Sequence, residues 1–187
     1  MGLFFGVLAL FFALGEAFPD GAPCAALSTL APQPDRHGAE KQRSSLSSRY
    51  SFQFFKHGDI HEKGLQMYIP GETYVIRISG GPFKGILLQA RQVKDDGELY
   101  SSHRLGEFLE DKLADQGLKY LFCSSANYKD TITHNDNSEK RTVELLWRPV
   151  NGKFAVQFLL TIAEERTKYW VGEQLPNSRV FPFKEPK

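Results

Sequence analysis

The sequence has almost no net charge, since 23 Lys and Arg stand against 22 Asp and Glu and leave a formal charge of +1. A nucleic-acid-binding protein shows a strong basic excess, and a cationic membrane-lytic peptide clusters Lys and Arg on an amphipathic helix. The charge balance therefore argues against both classes, and we expect no nucleic-acid partner. The 187 residues suffice for one domain with a substantial core.

Catalytic motifs are scarce. There is no G-x-S-x-G, and the glycine-rich stretch at residues 80–85 lacks the G-K-[ST] ending of a phosphate-binding loop. This stretch lies between two predicted strands, where Gly and Pro favour a hairpin turn. We therefore expect no catalytic residue and no cofactor, and we predict that the protein is not an enzyme.

Metal-binding patterns are equally few. His57 and His61 have a spacing that suits zinc on a helix, but Gly58 and Gly64 oppose a helix at this point. A contact of both histidines and Asp59 with a metal is the alternative to a solvated loop. The solvated loop is the better interpretation, so we expect no metal site.

Long hydrophobic runs are missing after the first 17 residues. The run from Leu3 to Leu14 has the length of a signal-peptide core and is too short for a membrane span of about 20 residues. Gly15 and Ala17 supply the small-x-small pattern for cleavage before Phe18. We expect residues 1–17 to be a signal peptide and residues 18–187 to be one secreted, extracellular domain without a membrane span. A buried helix or an uncleaved anchor is the alternative.

Cysteine is rare, with Cys24 and Cys123 as the only two. In an oxidising compartment two cysteines allow one intramolecular bridge, and two buried free thiols are the alternative. There is no N-x-[ST] sequon, because Asn137 and Asn177 are each followed directly by Ser. We therefore expect a protein without N-glycans.

Short runs of β-branched and aromatic residues, separated by Gly, Pro, Asn and Asp, make up most of the chain after Tyr50. Strands are predicted at residues 50–54, 73–79, 85–93, 118–124, 141–147, 153–163 and 168–171. About seven to nine short strands with a turn signal at each break predict an all-β, antiparallel sandwich. No alternation of strands with helices is visible, which opposes a parallel α/β sheet.

One stretch has helical periodicity instead. Apolar residues recur at helical spacing between residues 104 and 116, at Leu105, Phe108, Leu109 and Leu113. Gly117 then stands where the residue that ends a helix belongs. We expect a short surface helix that packs on the sandwich through this apolar stripe.

The order of several short motifs resembles the reeler domain family. They are, along the chain, Phe18-Pro-Asp-Gly-Ala-Pro-Cys24, His37-Gly38, Tyr68-x-Pro70-Gly71-Glu72-x-Tyr74, Phe83-Lys-Gly85-Ile-Leu-Leu-Gln89-Ala90-Arg91, Cys123, Thr133-His134 and Trp147-x-Pro149. More narrowly, the chain is similar to small secreted defence proteins of the insect type, which consist of a signal peptide and one reeler domain. The resemblance implies an immunoglobulin-like β-sandwich, a Cys24–Cys123 disulfide and a role in innate immunity. It brings no catalytic residues.

The matched residues also have simple structural roles. Pro70-Gly71 suits a type II turn, and Gly85 allows close backbone approach beside Phe83. Trp147 is predicted to pack in the centre of the sandwich.

The residues and the resemblance together favour a defence protein that contacts microbial surface polymers, namely lipopolysaccharide, peptidoglycan or glucan. Residues 35–48 and 127–141 are predicted to be exposed loops, where binding residues commonly lie on a rigid scaffold. The candidate ligand-binding residues are in the second loop, at Tyr128, His134, Asn135 and Asn137. Ordinary solvated loops are the alternative interpretation.

Two other functions stay open. An extracellular adhesion or matrix module would suit a disulfide-bonded sandwich equally well. The resemblance also allows a redox enzyme subunit, since reeler domains occur in membrane ferric reductases, whose chemistry needs a haem-bearing membrane domain.

Overall fold

The structure is a computed structural model that describes residues 20–24, 26–32, 45–59, 63–122 and 129–184. Several features predicted from the sequence lie outside these residues: the signal peptide with its cleavage point at Ala17 and Phe18, most of the loop 35–48, His61, Cys123 and Tyr128.

The described chain forms twelve strands and one short helix, α1 (Ala26–Thr29). The strands are β1 (Tyr50–Lys56), β2 (Met67–Tyr68), β3 (Tyr74–Phe83), β4 (Gly85–Val93), β5 (Leu99–Arg104), β6 (Glu107–Phe108), β7 (Leu118–Tyr120), β8 (Thr131–His134), β9 (Lys140–Arg148), β10 (Val156–Glu165), β11 (Lys168–Glu173) and β12 (Arg179–Pro182). They build two sheets that pack as a sandwich, which confirms the predicted fold class.

The first sheet has the order β1-β3-β9-β6 and follows the period of two that a half-buried strand requires. In β1, Phe52 and Phe54 are buried while Ser51 and Gln53 are exposed. In β9, Val143 and Leu145 are buried while Glu144 is exposed. Alternation of this kind puts one face of the sheet on the core and leaves the other in water.

The second sheet has the order β2-β12-β10-β4-β8-β7, and β11 and β5 also pair with β10 and β4. Its central strand β4 is buried at every position. On one side of β4, Ile86 and Leu88 belong to the main core; on the other, Leu87 packs with Ala26 and Leu30 of the N-terminal segment. Residues 20–24 and 26–32, which we call the N-terminal segment, therefore cover part of the outer face of this sheet.

Aromatic rings fill the space between the sheets. Trp147 is fully buried, with its ring centroid 5.2 Å from that of Phe158 and 5.8 Å from that of Tyr68. Its indole nitrogen donates to the carbonyl oxygen of Leu105 over 3.3 Å. The predicted position of Trp147 in the centre of the sandwich is confirmed.

The predicted type II turn is also present. The amide of Glu72 donates to the carbonyl oxygen of Ile69 over 3.3 Å, and Gly71 has a φ of 83°. A positive φ at the third turn position is what a type II turn requires of its glycine.

The predicted helix at residues 104–116 is wrong. After β5 ends, β6 pairs with β9 so that Phe108 lies opposite Trp147, and only residues 114–116 form a 3-10 turn. Gly106 is the reason, because its φ of 75° turns the chain and a Cβ there would lie 2.4 Å from the Trp147 ring. The apolar residues at 105, 108 and 113 still pack in or against the core, but they do so from a strand and turns and not from a helix.

The predicted hairpin at residues 80–85 is wrong as well. β3 and β4 belong to different sheets, and Lys84 alone connects them. The Lys84 amide donates to the carbonyl oxygen of Ala163 in β10 over 2.9 Å. The glycine-rich stretch is therefore a crossover between the two layers of the sandwich.

Candidate recognition cleft

Most of the predicted loop at residues 127–141 is strand or turn. His134 lies in β8 and is only 8% exposed, and its Nδ1 accepts a hydrogen bond from the Ile86 amide over 3.2 Å. The placement of His134 on an exposed loop is therefore wrong, because β8 is inserted between β4 and β7. A histidine so enclosed supports the packing of the sheet.

The turn after β8 is built around a buried ammonium group. Lys140 is 6% exposed, and its Nζ donates to Asp136 Oδ1 over 2.8 Å and to the Ser138 carbonyl oxygen over 3.0 Å. Hydrogen bonds from Lys140 and Ser138 lower the pKa of Asp136 to about 2, although partial burial acts in the opposite direction. The turn is thus a fixed platform.

Two of the candidate binding residues lie on this platform. The Asn135 amide donates to the Gly117 carbonyl oxygen over 2.9 Å, and Asn137 is exposed. The fixed backbone presents both residues at one end of β8. Their role in binding stays a prediction.

An open cleft of about 600 Å³ lies beside Asn135. Strand β7 contributes Lys119 and Tyr120 to its lining, and Phe122, two residues after the strand, is 55% exposed. The segment before β7 adds three carboxylates, at Glu110, Asp111 and Asp115. The cleft combines an exposed ring with carboxylate, ammonium and amide groups.

Tyr120 holds the aromatic part of the cleft in place. Its hydroxyl donates to the Phe108 carbonyl oxygen over 3.0 Å, and its ring contacts that of Phe122 edge-on with centroids 5.6 Å apart. Burial, together with the nearby carboxylates of Glu110 and Glu107, raises the pKa of Tyr120 to about 12. The hydroxyl therefore remains a hydrogen-bond donor at neutral pH.

Such a lining is suited to sugars. The face of an exposed aromatic ring packs on apolar surface, while amides and carboxylates exchange hydrogen bonds with hydroxyl groups. Our sequence reasoning missed Phe122 and Tyr120 as site residues. The alternation of Leu118, Tyr120 and Phe122 in the predicted strand at 118–124 was the signal that pointed to an aromatic edge here.

The other predicted loop, at residues 35–48, is described only at its end. Leu46, Ser47 and Ser48 form a 3-10 turn, and Leu46 is fully buried in the main core. This end of the segment is therefore anchored, contrary to the prediction of an exposed loop, because one leucine reaches between the sheets.

The histidine segment lies at the end of β1. The backbone amide of His57 donates to the Thr73 carbonyl oxygen over 2.9 Å. The backbone amide of Asp59 donates to the Lys56 carbonyl oxygen over 3.1 Å. Within the described ranges, no group of three or more His, Cys, Asp or Glu residues is placed to hold a metal ion.

Cys24 lies close to the cleft. Its Sγ is 3.7 Å from the carbonyl oxygen of Phe122, the residue that precedes Cys123 in the sequence. Because Cys123 itself lies outside the described residues, the Cys24–Cys123 disulfide stays a prediction.

In the part of the chain that the structure describes, no helix is both long enough and apolar enough to cross a membrane.

Comparison with known families and proteins gives one family match. The family model of the reeler domain matches residues 32–181. Ferric-chelate reductase 1 of Homo sapiens is 30% identical over 122 residues, which cover 63% of this chain and 19% of that protein. Putative ferric-chelate reductase 1 of Xenopus laevis is 31% identical over 115 residues, which cover 60% of this chain and 18% of that protein. The match thus spans about a fifth of the length of these curated relatives.

Solved structures are similar in fold. The crystal structure of the human F-spondin reeler domain (fragment 1) has a TM-score of 0.57 at 16% identity, covering 78% of this chain and 96% of that one. The crystal structure of the Reelin-N domain of F-spondin has a TM-score of 0.54 at 16% identity, covering 77% of this chain and 93% of that one. At these identities the likeness shows the fold alone.

Proposed function

Because the chain belongs to the reeler domain family, we propose that it is a secreted defence protein of innate immunity that binds microbial surface polymers without catalysis. The observation that carries the proposal is the cleft in which the exposed ring of Phe122 lies near Asn135. The order of motifs that resembles insect-type defence proteins supports the biological setting. The ligand class is lipopolysaccharide, peptidoglycan or glucan.

The charges of the cleft favour recognition by hydrogen bonds. Its three carboxylates are nearly balanced by the ammonium groups of Lys112 and Lys119. A nearly neutral lining gives little electrostatic attraction, and what it gives is screened over about 8 Å at physiological salt. Binding should therefore depend on ring packing and polar contacts, and should tolerate salt.

Pull-down on insoluble peptidoglycan, immobilised lipopolysaccharide and glucan beads tests this function with protein expressed from the full chain. We expect retention on at least one polymer that survives a rise from about 0.1 to about 0.5 M salt. Phe122→Ser and Asn135→Ala should each weaken retention about fivefold or more, the cost of one aromatic or polar contact. Phe181→Ser removes a comparably exposed ring elsewhere and should leave retention on peptidoglycan and glucan unchanged. Failure to bind any of the three polymers would refute the proposal.

An extracellular adhesion or matrix module is the second candidate. A rigid sandwich with loops at its ends serves adhesion as well as defence, since one fold hosts many functions. Protein abundance after bacterial challenge separates the two, because a defence protein should be induced and an adhesion module should not.

Similarity to ferric-chelate reductase 1 favours a third candidate, a module that works beside a reductase. The match covers only about a fifth of that protein, so the reducing centre would have to lie elsewhere. Ferric-chelate reduction by cells that express the full chain, above that of untransfected cells, would support this candidate over the first.

A further inference from the structure

Exposed apolar side chains are concentrated on one ribbon of the second sheet. Among the described residues, six large hydrophobic side chains are exposed, and four of them lie here: Met67 (54%), Ile69 (47%), Phe181 (46%) and Phe183 (46%). The ribbon consists of residues 66–69 and 179–183, which we call the β2–β12 ribbon. A concentration of this kind on a protein surface marks an interaction site.

The pairing of the two strands puts these four side chains side by side. β2 and β12 run parallel, with Met67 opposite Phe181. The Phe183 amide continues the ladder by donating to the Tyr68 carbonyl oxygen over 2.8 Å. Because side chains alternate along a strand, the buried Tyr68 and Val180 face the core and the four apolar residues face away from it.

The ribbon lies at the edge of the molecule. β2 ends the order of the second sheet, so none of the described strands pairs with its outer edge. An apolar face at a sheet edge is open to a large partner from two directions. Such a face has no wall that could enclose a small molecule, so an extended surface fits it better.

The charges around the ribbon decide which surface fits. Residues 63–69 and 178–184 contain three basic side chains, Lys63, Arg179 and Lys184, and no acidic one. Arg179 shares the strand alternation of Phe181 and Phe183 and so faces the same side. The nearest acids along the chain are Glu62, Glu72 and Glu185. Glu72 pairs with Lys56 over 3.0 Å, and the other two lie outside the described residues.

A second copy of the chain fits this pattern poorly, because two-fold pairing would bring like charges together. An anionic bilayer fits it well. Aromatic and aliphatic side chains enter the boundary between headgroups and acyl chains, while Lys and Arg contact the phosphates.

We propose that the β2–β12 ribbon docks the protein on bilayers of anionic phospholipid. Phe181, Phe183 and Met67 insert into the interface, and Arg179 and Lys184 bind lipid phosphates at its rim. This contact uses a different surface and a different ligand from the cleft, so it holds or fails independently of polymer recognition.

Vesicle flotation tests the proposal with protein expressed from the full chain. We expect binding to vesicles of equal parts phosphatidylglycerol and phosphatidylcholine, and at least about tenfold weaker binding to phosphatidylcholine alone, because the basic rim needs anionic lipid. Phe181→Ser/Phe183→Ser should lower binding about tenfold or more, since two inserted rings are lost. Phe122→Ser is the matched control, as it removes an exposed ring from the cleft and should bind vesicles like the wild type.

A further variant and two further measurements distinguish lipid binding from misfolding and from dimer formation. Lys184→Gln should weaken binding to anionic vesicles and flatten its dependence on salt, and all variants should melt within a few degrees of the wild type. Equal binding to neutral vesicles, no binding to anionic ones, or equal loss in Phe122→Ser would overturn the proposal. A wild-type dimer in sedimentation equilibrium that becomes a monomer in the double variant would assign the ribbon to a second copy instead. Pull-down of the same proteins on peptidoglycan and glucan, which carry no acyl chains, reports separately on the cleft.

Discussion

Lys140 shows how one buried charge can define a surface. An ammonium group taken out of water needs all its donors used, and Lys140 finds Asp136 Oδ1 and the Ser138 carbonyl and hydroxyl oxygens within 3.2 Å. The turn wraps around this group and leaves Asn137 exposed on its outside. A single side chain thereby converts a polar segment into a rigid support for the cleft.

Replacing Lys140 by Met should raise the pKa of Asp136 from about 2 towards the ordinary aspartate value of 3.8, because the hydrogen bond from Lys140 is the main cause that lowers it. A carboxylate whose folded pKa is depressed stabilises the protein above its unfolded pKa. That stabilisation is lost as the pH falls from about 4 to about 2 in the wild type, and it is largely missing from the variant.

Carboxyl-detected NMR titration of Asp136 measures this directly. Lys184→Met, which removes an exposed ammonium far along the chain, should leave the Asp136 pKa where it is. An unchanged pKa in Lys140→Met would contradict the role given to this contact.

At the scale of elements, the segment between β5 and β7 explains where periodicity misleads. Leu105, Phe108 and Leu113 stand at helical spacing, yet each reaches the core from a strand, a turn or a chain reversal. Gly106 permits the reversal, since a positive φ costs other residues about 1–2 kcal/mol. The spacing of apolar residues shows which side chains are to be buried, but it does not determine the backbone conformation that buries them.

Gly106→Ala should lower the free energy of unfolding by about 2–5 kcal/mol, from the positive φ together with displacement of the Trp147 ring. Gly97→Ala is the matched control, because Gly97 has a φ of 86° but nothing within 4 Å of a Cβ. It should cost only about 1–2 kcal/mol. Urea denaturation gives both values, and equal losses would show that the Trp147 contact contributes nothing.

Long strands were predictable and short ones were not. Residues 85–93 were predicted with the bounds that β4 has, because an apolar run after Gly85 continues to Val93, where the turn residues 94–97 begin. β2 and β6 have two residues each and owe their form to partners distant in sequence, Phe181 for Met67 and Trp147 for Phe108. The cleft was missed for the same reason, since Phe122 and Asn135 meet only after β7 and β8 have paired.

At the scale of the whole molecule, the N-terminal segment crosses the second sheet from β10 to the end of β7. Leu30 packs beside Leu87 and Leu159, and its carbonyl oxygen accepts a hydrogen bond from Thr161 Oγ1 over 2.7 Å. Cys24, in the same segment, lies next to Phe122. A covalent link at this point would fasten the segment to the cleft.

We predict that non-reducing peptide mapping finds Cys24 joined to Cys123. A bridge that closes a loop of about 100 residues stabilises by up to about 4–5 kcal/mol in the chain-entropy model, so reduction should lower the melting temperature clearly. Two thiols that alkylate in the native protein would contradict the bridge.

The order of strands in the second sheet also has a consequence for synthesis on the ribosome. β4 is buried at every position, but β10, which flanks it along most of its length, begins only at Val156. Because ribosomes add about 5–20 residues per second, the roughly 60 residues between Val93 and Val156 delay this pairing by about 3–12 s. During that interval β5 and β8 can already pair with β4, but the edge of β4 that belongs to β10 has no partner. A chain stalled before β10 therefore exposes β4 to aggregation, whereas a chain stalled after it does not.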